Sequence, residues 1–209
     1  MRVSRLNADN DKPWDARLAA RLVAPLRDSW VTPNHLTTLR MLFGVLACAG
    51  LSHGGYLWTN IGALCLAASN FLDHTDGELA RITGKTSRFG HLYDLTADAL
   101  VNFMLFLGIG IGLRHSELGA SAVVLGLLAG IAVAAIFHLR HEIELIVGKA
   151  RARQPNIGAL EAEDILYALP LVTLAGSLHY FLLLAAVGAP LFALWVLREY
   201  LTLRRAALP

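Results

Sequence analysis

Six apolar runs alternate with short polar stretches along the chain: residues 36–51, 56–72, 89–112, 118–137, 165–175 and 180–196. Helices are the economical way for such runs to satisfy their backbone in lipid. The pattern therefore predicts an all-α, polytopic membrane protein with six transmembrane helices and five connections. Ser52-His53-Gly54-Gly55 and Gly176-Ser177 read as turns, residues 83–88 as a short polar loop, and residues 149–163 as a longer polar connection. Pro170 falls inside the fifth run and Pro190 inside the sixth, where a proline kinks a helix.

Ahead of these runs the pattern differs. Residues 1–12 are polar and are expected to be loose. From Pro13 onward, Trp14, Leu18, Leu22, Leu26 and Trp30 recur every four residues, with Arg17, Arg21 and Arg27 on other faces. That is an amphipathic helix able to lie in the headgroup layer, with Trp at interfacial depth, or to pack on the protein's own cytosolic face. Pro25 is expected to kink it. Two regions follow: a cytoplasmic segment with its interfacial helix, 1–31, and a six-helix membrane domain, 32–209.

Composition strengthens the membrane reading. The chain is 56% hydrophobic and its mean hydropathy is +0.52, too apolar for an ordinary soluble domain. Cys48 and Cys65 sit inside apolar runs, as small core- or lipid-facing residues, in neither a metal-ligand nor a disulfide pattern. A cleavable leader is not expected, because the first residues are polar and charged. The net charge of +2 says little, but the placement of charge says more. In a six-span topology Arg114 is the one basic residue on the side opposite the termini, while seventeen others share the termini's side. The positive-inside rule then puts both termini in the cytosol.

The chemistry concentrates in residues 73–98, DHTDGELARITGKTSRFGHLYDLTAD. Asp73/Asp76 and Asp94/Asp98 are two carboxylate pairs at helical spacing, each on one helix face beside an apolar run. An Asp at mid-bilayer costs about 2.5–3.5 kcal/mol on insertion scales, so a cationic partner is expected. Oxygen-only donors suit hard divalent ions, and two such ions would balance four carboxylates in charge. Gly77 and Ala80 leave a smooth strip one turn long beside the first pair. Arg81 follows with a guanidinium that can fork onto phosphate oxygens. Acids for metal, a bare strip and an arginine together point to a bound nucleotide diphosphate. His74 and His91 read as partly exposed polar residues.

This stretch resembles the signature of the CDP-alcohol phosphotransferase family: Asp, two residues, Asp-Gly, two residues, Ala-Arg, eight residues, Gly, three residues, Asp, three residues, Asp. All eight fixed positions are filled, by Asp73, Asp76, Gly77, Ala80, Arg81, Gly90, Asp94 and Asp98. A second, weaker likeness is the Pro-Asn-x-Leu-Thr-x-x-Arg opening of the first run, matched by Pro33, Asn34, Leu36, Thr37 and Arg40. The resemblance implies a divalent-metal-dependent membrane transferase using two Mg2+ or Mn2+ ions. Asp73, Asp76, Asp94 and Asp98 would hold the ions, and Asp98 would also serve as general base. Arg81, Gly77, Ala80 and Gly90 would border the nucleotide, and so would Asn34 and Thr37 unless they serve only as a polar helix cap. A homodimer is implied as well.

In the favoured partition, a phosphatidyl group passes from CDP-diacylglycerol to a small polar alcohol, with release of CMP. A phosphorylated alcohol would need cations, for which Lys85, Arg88, Arg140, Arg151 and Arg153 are candidates. Glu161, Glu163 and Asp164 could instead meet a sugar hydroxyl or amine, or simply open a helix. The reverse partition uses a soluble CDP-alcohol and a lipid hydroxyl. A metal-ion transporter would place the acids near mid-membrane and leaves Gly77, Ala80, Arg81 and Gly90 unexplained; an inactive scaffold leaves the intact acids unexplained. Nucleic acid is not an expected partner.

Overall fold

The computed structural model describes residues 14–148 and 166–206. Outside them lie the polar start of the chain, residues 1–12, and the connection 149–163 with Arg151, Arg153, Glu161 and Glu163. Asp164 and the start of the fifth predicted run, at Ile165, lie outside as well.

Among the described residues every regular element is helical. The order is α1 (Trp14–Val23), α2 (Pro33–His53), α3 (Tyr56–Thr83), α4 (Arg88–Gly112), α5 (Ser121–Val147), α6 (Leu169–Leu174) and α7 (Leu178–Ala206). Short 3-10 turns, Ala24–Leu26 and Leu113–His115, follow α1 and α4.

Local chemistry sets the ends. Pro33 occupies the first turn of α2, where its missing N–H costs nothing, and the Thr32 N–H donates to His35 Nδ1 at 3.2 Å. α3 stops at Gly84, whose φ of 66° is a left-handed cap. Ser87 then caps α4, its Oγ accepting from the Gly90 N–H at 2.9 Å. The loop between α3 and α4 is therefore only residues 84–87, which keeps the end of α3 and the start of α4, with their acids, at one end of the bundle.

Among the described residues four helices are long and apolar enough to cross a bilayer: α2, α4 with the turn after it, α5 and α7. α3 contains the second predicted run, but its Thr, Asn and Ser residues and the motif acids make it less apolar. Of the fifth predicted run, the described part is the short helix α6. The fourth run begins at Ser121 rather than Leu118 and continues past Phe137 to Val147. α7 runs through Pro190 with no break.

The helix expected over residues 13–30 ends at Val23, because Pro25 turns the chain into 3-10 geometry. Leu18 and Leu22 are exposed on α1, whereas Ala19 and Val23 are buried where it packs on α3.

Small residues let the long helices touch. A Cβ on Gly62 of α3 would stand 2.8 Å from the Ala47 carbonyl of α2, and one on Gly110 of α4 would stand 2.5 Å from that of Ala122 on α5. Between lipid-facing helices, close packing of this kind replaces the hydrophobic drive available in water. The core gathers Leu51, Leu66, Val101, Leu105, Ile109, Leu169 and Leu182. Outside it, Leu42, Val45 and Leu46 of α2, Leu128 and Ile131 of α5, and Leu184, Val187, Leu191 and Leu194 of α7 are exposed. Apolar surface of that extent matches a lipid environment rather than water.

The two ends of the bundle differ in character. At one, Arg114 donates to the Ser52 carbonyl at 3.3 Å and Thr173 donates to Asn60 Oδ1 at 2.9 Å. At the other lie the acids, the His91–His141 ring contact at 5.0 Å and the Arg140–Glu199 pair at 3.2 Å.

Candidate active site

Three helices build the site. α3 supplies Asp73 and Asp76, α4 supplies Asp94 and Asp98, and α2 supplies Thr37 and Arg40. The two acidic clusters converge as expected, in a three-plus-one arrangement. One oxygen each from Asp73, Asp76 and Asp94 lies within 4.8 Å of the others. Three converging hard oxygen donors fit a divalent ion such as Mg2+ or Mn2+. Asp98 is not one of these three; it shares the Arg40 guanidinium with Asp73 and Asp94, accepting a hydrogen bond from Nη2.

Arg40 holds the centre. Its Nη1 donates to Asp73 Oδ1 at 2.5 Å and to Asp94 Oδ1 at 3.1 Å, so with Asp98 one guanidinium bridges three carboxylates. Its side chain is only 4% exposed, and its backbone carbonyl accepts from Ser69 Oγ at 3.0 Å. Thr37, one turn earlier on the same helix, donates to Asp76 Oδ2 at 2.7 Å. α2 thus satisfies all four acids.

Arg40 carries the second resemblance, yet its role at the centre of the acids is not evident from that spacing. The available signal is its position as a lone charge inside the first apolar run. Asn70 and Asn102 give the same kind of signal, as amides one turn from Asp73 and Asp98 on the membrane-interior side. Both amides line a small cleft with Arg40, Asp73, His74 and Asp98, together with Phe137, Leu166 and Tyr167. Asn102 is buried; its Nδ2 donates to the Asp98 carbonyl at 3.0 Å, while its Oδ1 has no partner.

The nucleotide-side residues are placed as follows. Gly77 is exposed, and a Cβ there would meet nothing within 4 Å. Ala80, next on the strip, is partly exposed. A Cβ on Gly90 would stand 3.0 Å from Asn34 Oδ1, so Asn34 lies over the start of α4. Arg81 is 63% exposed and donates to buried Glu78 at 2.5 Å; Glu78 occupies a variable position of the motif, which gives no sign of this contact.

Among the proposed acceptor cations, Lys85 Nζ reaches the Ser29 carbonyl at 3.3 Å and Arg88 is exposed. Neither lines the cleft. Arg140 also stands outside its lining, one turn from Phe137. It pairs with Glu199 and lies 5.3 Å from the centroid of Trp195. His91 is exposed, as expected; His74 is partly buried and stacks with Tyr167 at 6.2 Å.

Residues 30–203 match the sequence model for CDP-alcohol phosphatidyltransferase. The chain belongs to the CDP-alcohol phosphatidyltransferase family. It is similar to an archaetidylinositol phosphate synthase of Methanothermobacter thermautotrophicus, 31% identical over 78% of this chain and 75% of that protein. An archaetidylinositol phosphate synthase of Pyrococcus horikoshii is 41% identical over 44% of this chain and 47% of that protein. The aligned stretch thus spans about half the length of the Pyrococcus relative. A bifunctional IPC transferase and DIPP synthase of Aquifex aeolicus aligns at 29% over 48% of this chain and 22% of its own length.

Proposed function

We propose that this chain transfers a phosphatidyl-type group from a CDP-linked lipid to a phosphorylated polyol of the inositol phosphate class, releasing CMP. The observation that carries the reading is the division of the acids. Asp73, Asp76 and Asp94 converge for a cation, while Asp98, outside that trio, lines with Asp73 and Arg40 the adjoining cleft that holds Asn70, Asn102 and Tyr167. The names of the relatives supply the acceptor class.

In this reading the acceptor hydroxyl lies in the cleft beside Asp98, whose carboxylate takes its proton as the oxygen attacks phosphorus. The bond from that phosphorus to the CMP oxygen breaks, and CMP departs with the negative charge. Asp73, Asp76 and Asp94 would hold a divalent ion such as Mg2+ or Mn2+, which when bound would supply charge stabilisation for the departing phosphate. The open strip at Gly77 and Ala80 receives the cytidine, bordered by Asn34 and Gly90, while exposed Arg81 can leave Glu78 for a phosphate. Arg140 is the acceptor cation best placed to act, by rotation toward Phe137 and the cleft.

The topology read here has six crossings. α3 supplies one, with its acids roughly 9–15 Å from the helix ends. The segment around α6 supplies another, running from Tyr167 beside His74 to Thr173 beside Asn60. Both termini and the acids then face the cytosol, α1 rests at the interface with Leu18 and Leu22 toward lipid, and two copies pair as a homodimer.

Purified protein incubated with CDP-diacylglycerol and inositol phosphate should yield CMP and a phosphatidylinositol phosphate by mass spectrometry. Product only from a soluble CDP-alcohol and diacylglycerol would establish the reverse partition instead.

A further inference from the structure

We propose that Arg40 is a resident counter-ion that occupies the coordination space between Asp73, Asp94 and Asp98, so that divalent ions load in two unequal steps. The first takes the converging oxygens of the Asp73, Asp76 and Asp94 trio; the second requires Arg40 to withdraw. This rests on the reading of the acids as divalent-ion ligands.

The charges require something of this kind. Four carboxylates share one end of a helical bundle, and a guanidinium is a permanent cation. Arg40 engages three of them. Thr37 holds the fourth, Asp76, through a neutral hydroxyl. Arg40 offsets the mutual repulsion of the acids it bridges, so that its charge helps to hold them together. Its insertion also places a positive charge where a second ion bridging Asp98 to the trio would have to sit.

A second observation shows that Arg40 is not at a fully satisfied end point. Its Nε is buried and has no hydrogen-bond partner, although a buried donor is ordinarily paired. The side chain also lines the cleft shared by Asp73, Asp98 and Asn102. Withdrawal would free Asp98 Oδ1 from its donor, which couples loading of the second ion to release of the residue read as base. Arg40 is in this sense a positioning residue.

The test is Mn2+ titration of the full-length protein in detergent, without nucleotide, followed by electron paramagnetic resonance of free Mn2+. Wild type should bind one ion at least ten-fold more tightly than the second. Arg40→Gln should strengthen the second step ten-fold or more, while Arg40→Lys, which keeps the charge, should retain the inequality. Melting temperature gives an independent readout. In chelator Arg40→Gln should melt lower than wild type, and Mn2+ should raise it by more than it raises wild type. Equal steps in wild type overturn the proposal, and that isotherm can do so even if the Gln variant does not fold. An unchanged second step in a folded Arg40→Gln protein also overturns it and leaves the metal reading intact. No Mn2+ binding in wild type removes both.

Discussion

Thr37 and Asp76 are 39 residues apart in the chain, yet the Thr37 hydroxyl donates to Asp76 Oδ2 at 2.7 Å in a buried contact. The bond fixes one carboxylate of the trio from outside the acidic motif. It also ties α2 to α3 at the level of the site. Thr37 sends its hydroxyl toward the Pro33 carbonyl as well, at 3.2 Å, a local back-bond that remains available to the oxygen if Asp76 is lost.

Replacing Thr37 by Val keeps the shape and removes the donor. Outer-shell partners of metal ligands are typically worth about 10–100-fold in metal affinity or activity. Thr37→Val should therefore weaken Mn2+ binding and lower kcat by a factor in that range, while Thr37→Ser retains most of both. A Val variant with wild-type metal affinity would reduce Thr37 to a helix-packing residue.

Asp98 is the acid that stands outside the trio. Asp98→Asn should cut turnover by about 10²–10⁴-fold, the usual worth of a positioned base. The tighter Mn2+ step should persist, because Asp73, Asp76 and Asp94 remain. Substantial residual turnover under single-turnover conditions would take the base assignment away from Asp98. Chelation followed by Mn2+ addition should stop and restore wild-type activity; activity that survives chelation would contradict the metal role.

The residues differ in how legible they were. The two acid pairs could be read at once, since three- and four-residue spacing defines helix faces wherever the helix sits. Their placement at one end could be read too, because the loop between the helices is too short to carry the two pairs to opposite ends of the bundle. Arg40 was harder. Its partners are 33, 54 and 58 residues away, and spacing along one helix carries no information about what a neighbouring helix presents. Asn102 fell into a long apolar run, where one amide barely alters the pattern. The end of α1 at Val23 turned on Pro25: the four-residue apolar period continues to Trp30, but the backbone cannot follow it.

Packing supplies a prediction separate from chemistry. Gly62 lies where α3 crosses α2, and a Cβ there would stand 2.8 Å from both the Ala47 carbonyl and the Leu51 N–H nitrogen. These neighbours are backbone atoms and cannot rotate away. Gly62→Ala should force the helices apart and cost about 1–3 kcal/mol, the usual range for overpacking a tight contact. Thermal unfolding in detergent should report the loss. An unchanged midpoint would mean that α2 and α3 can slide without penalty.

Gly77 offers the opposite experiment. It is exposed on the face of α3 near the acids, and a Cβ there would meet nothing within 4 Å. Adding a side chain should not harm the fold. Gly is worth about 0.8–1.0 kcal/mol less than Ala in a helix interior and Leu ranks close to Ala, so the helix itself should gain. Gly77→Leu should thus melt at or above the wild-type temperature. If the strip receives the cytidine, the same variant should bind the CDP-linked donor at least ten-fold more weakly, with Mn2+ affinity unchanged. Those three readouts separate the causes: a fall in stability would mean a contact with something unaccounted for, a fall in metal affinity would mean disturbed acids, and unchanged donor affinity would move the nucleotide off this face of α3.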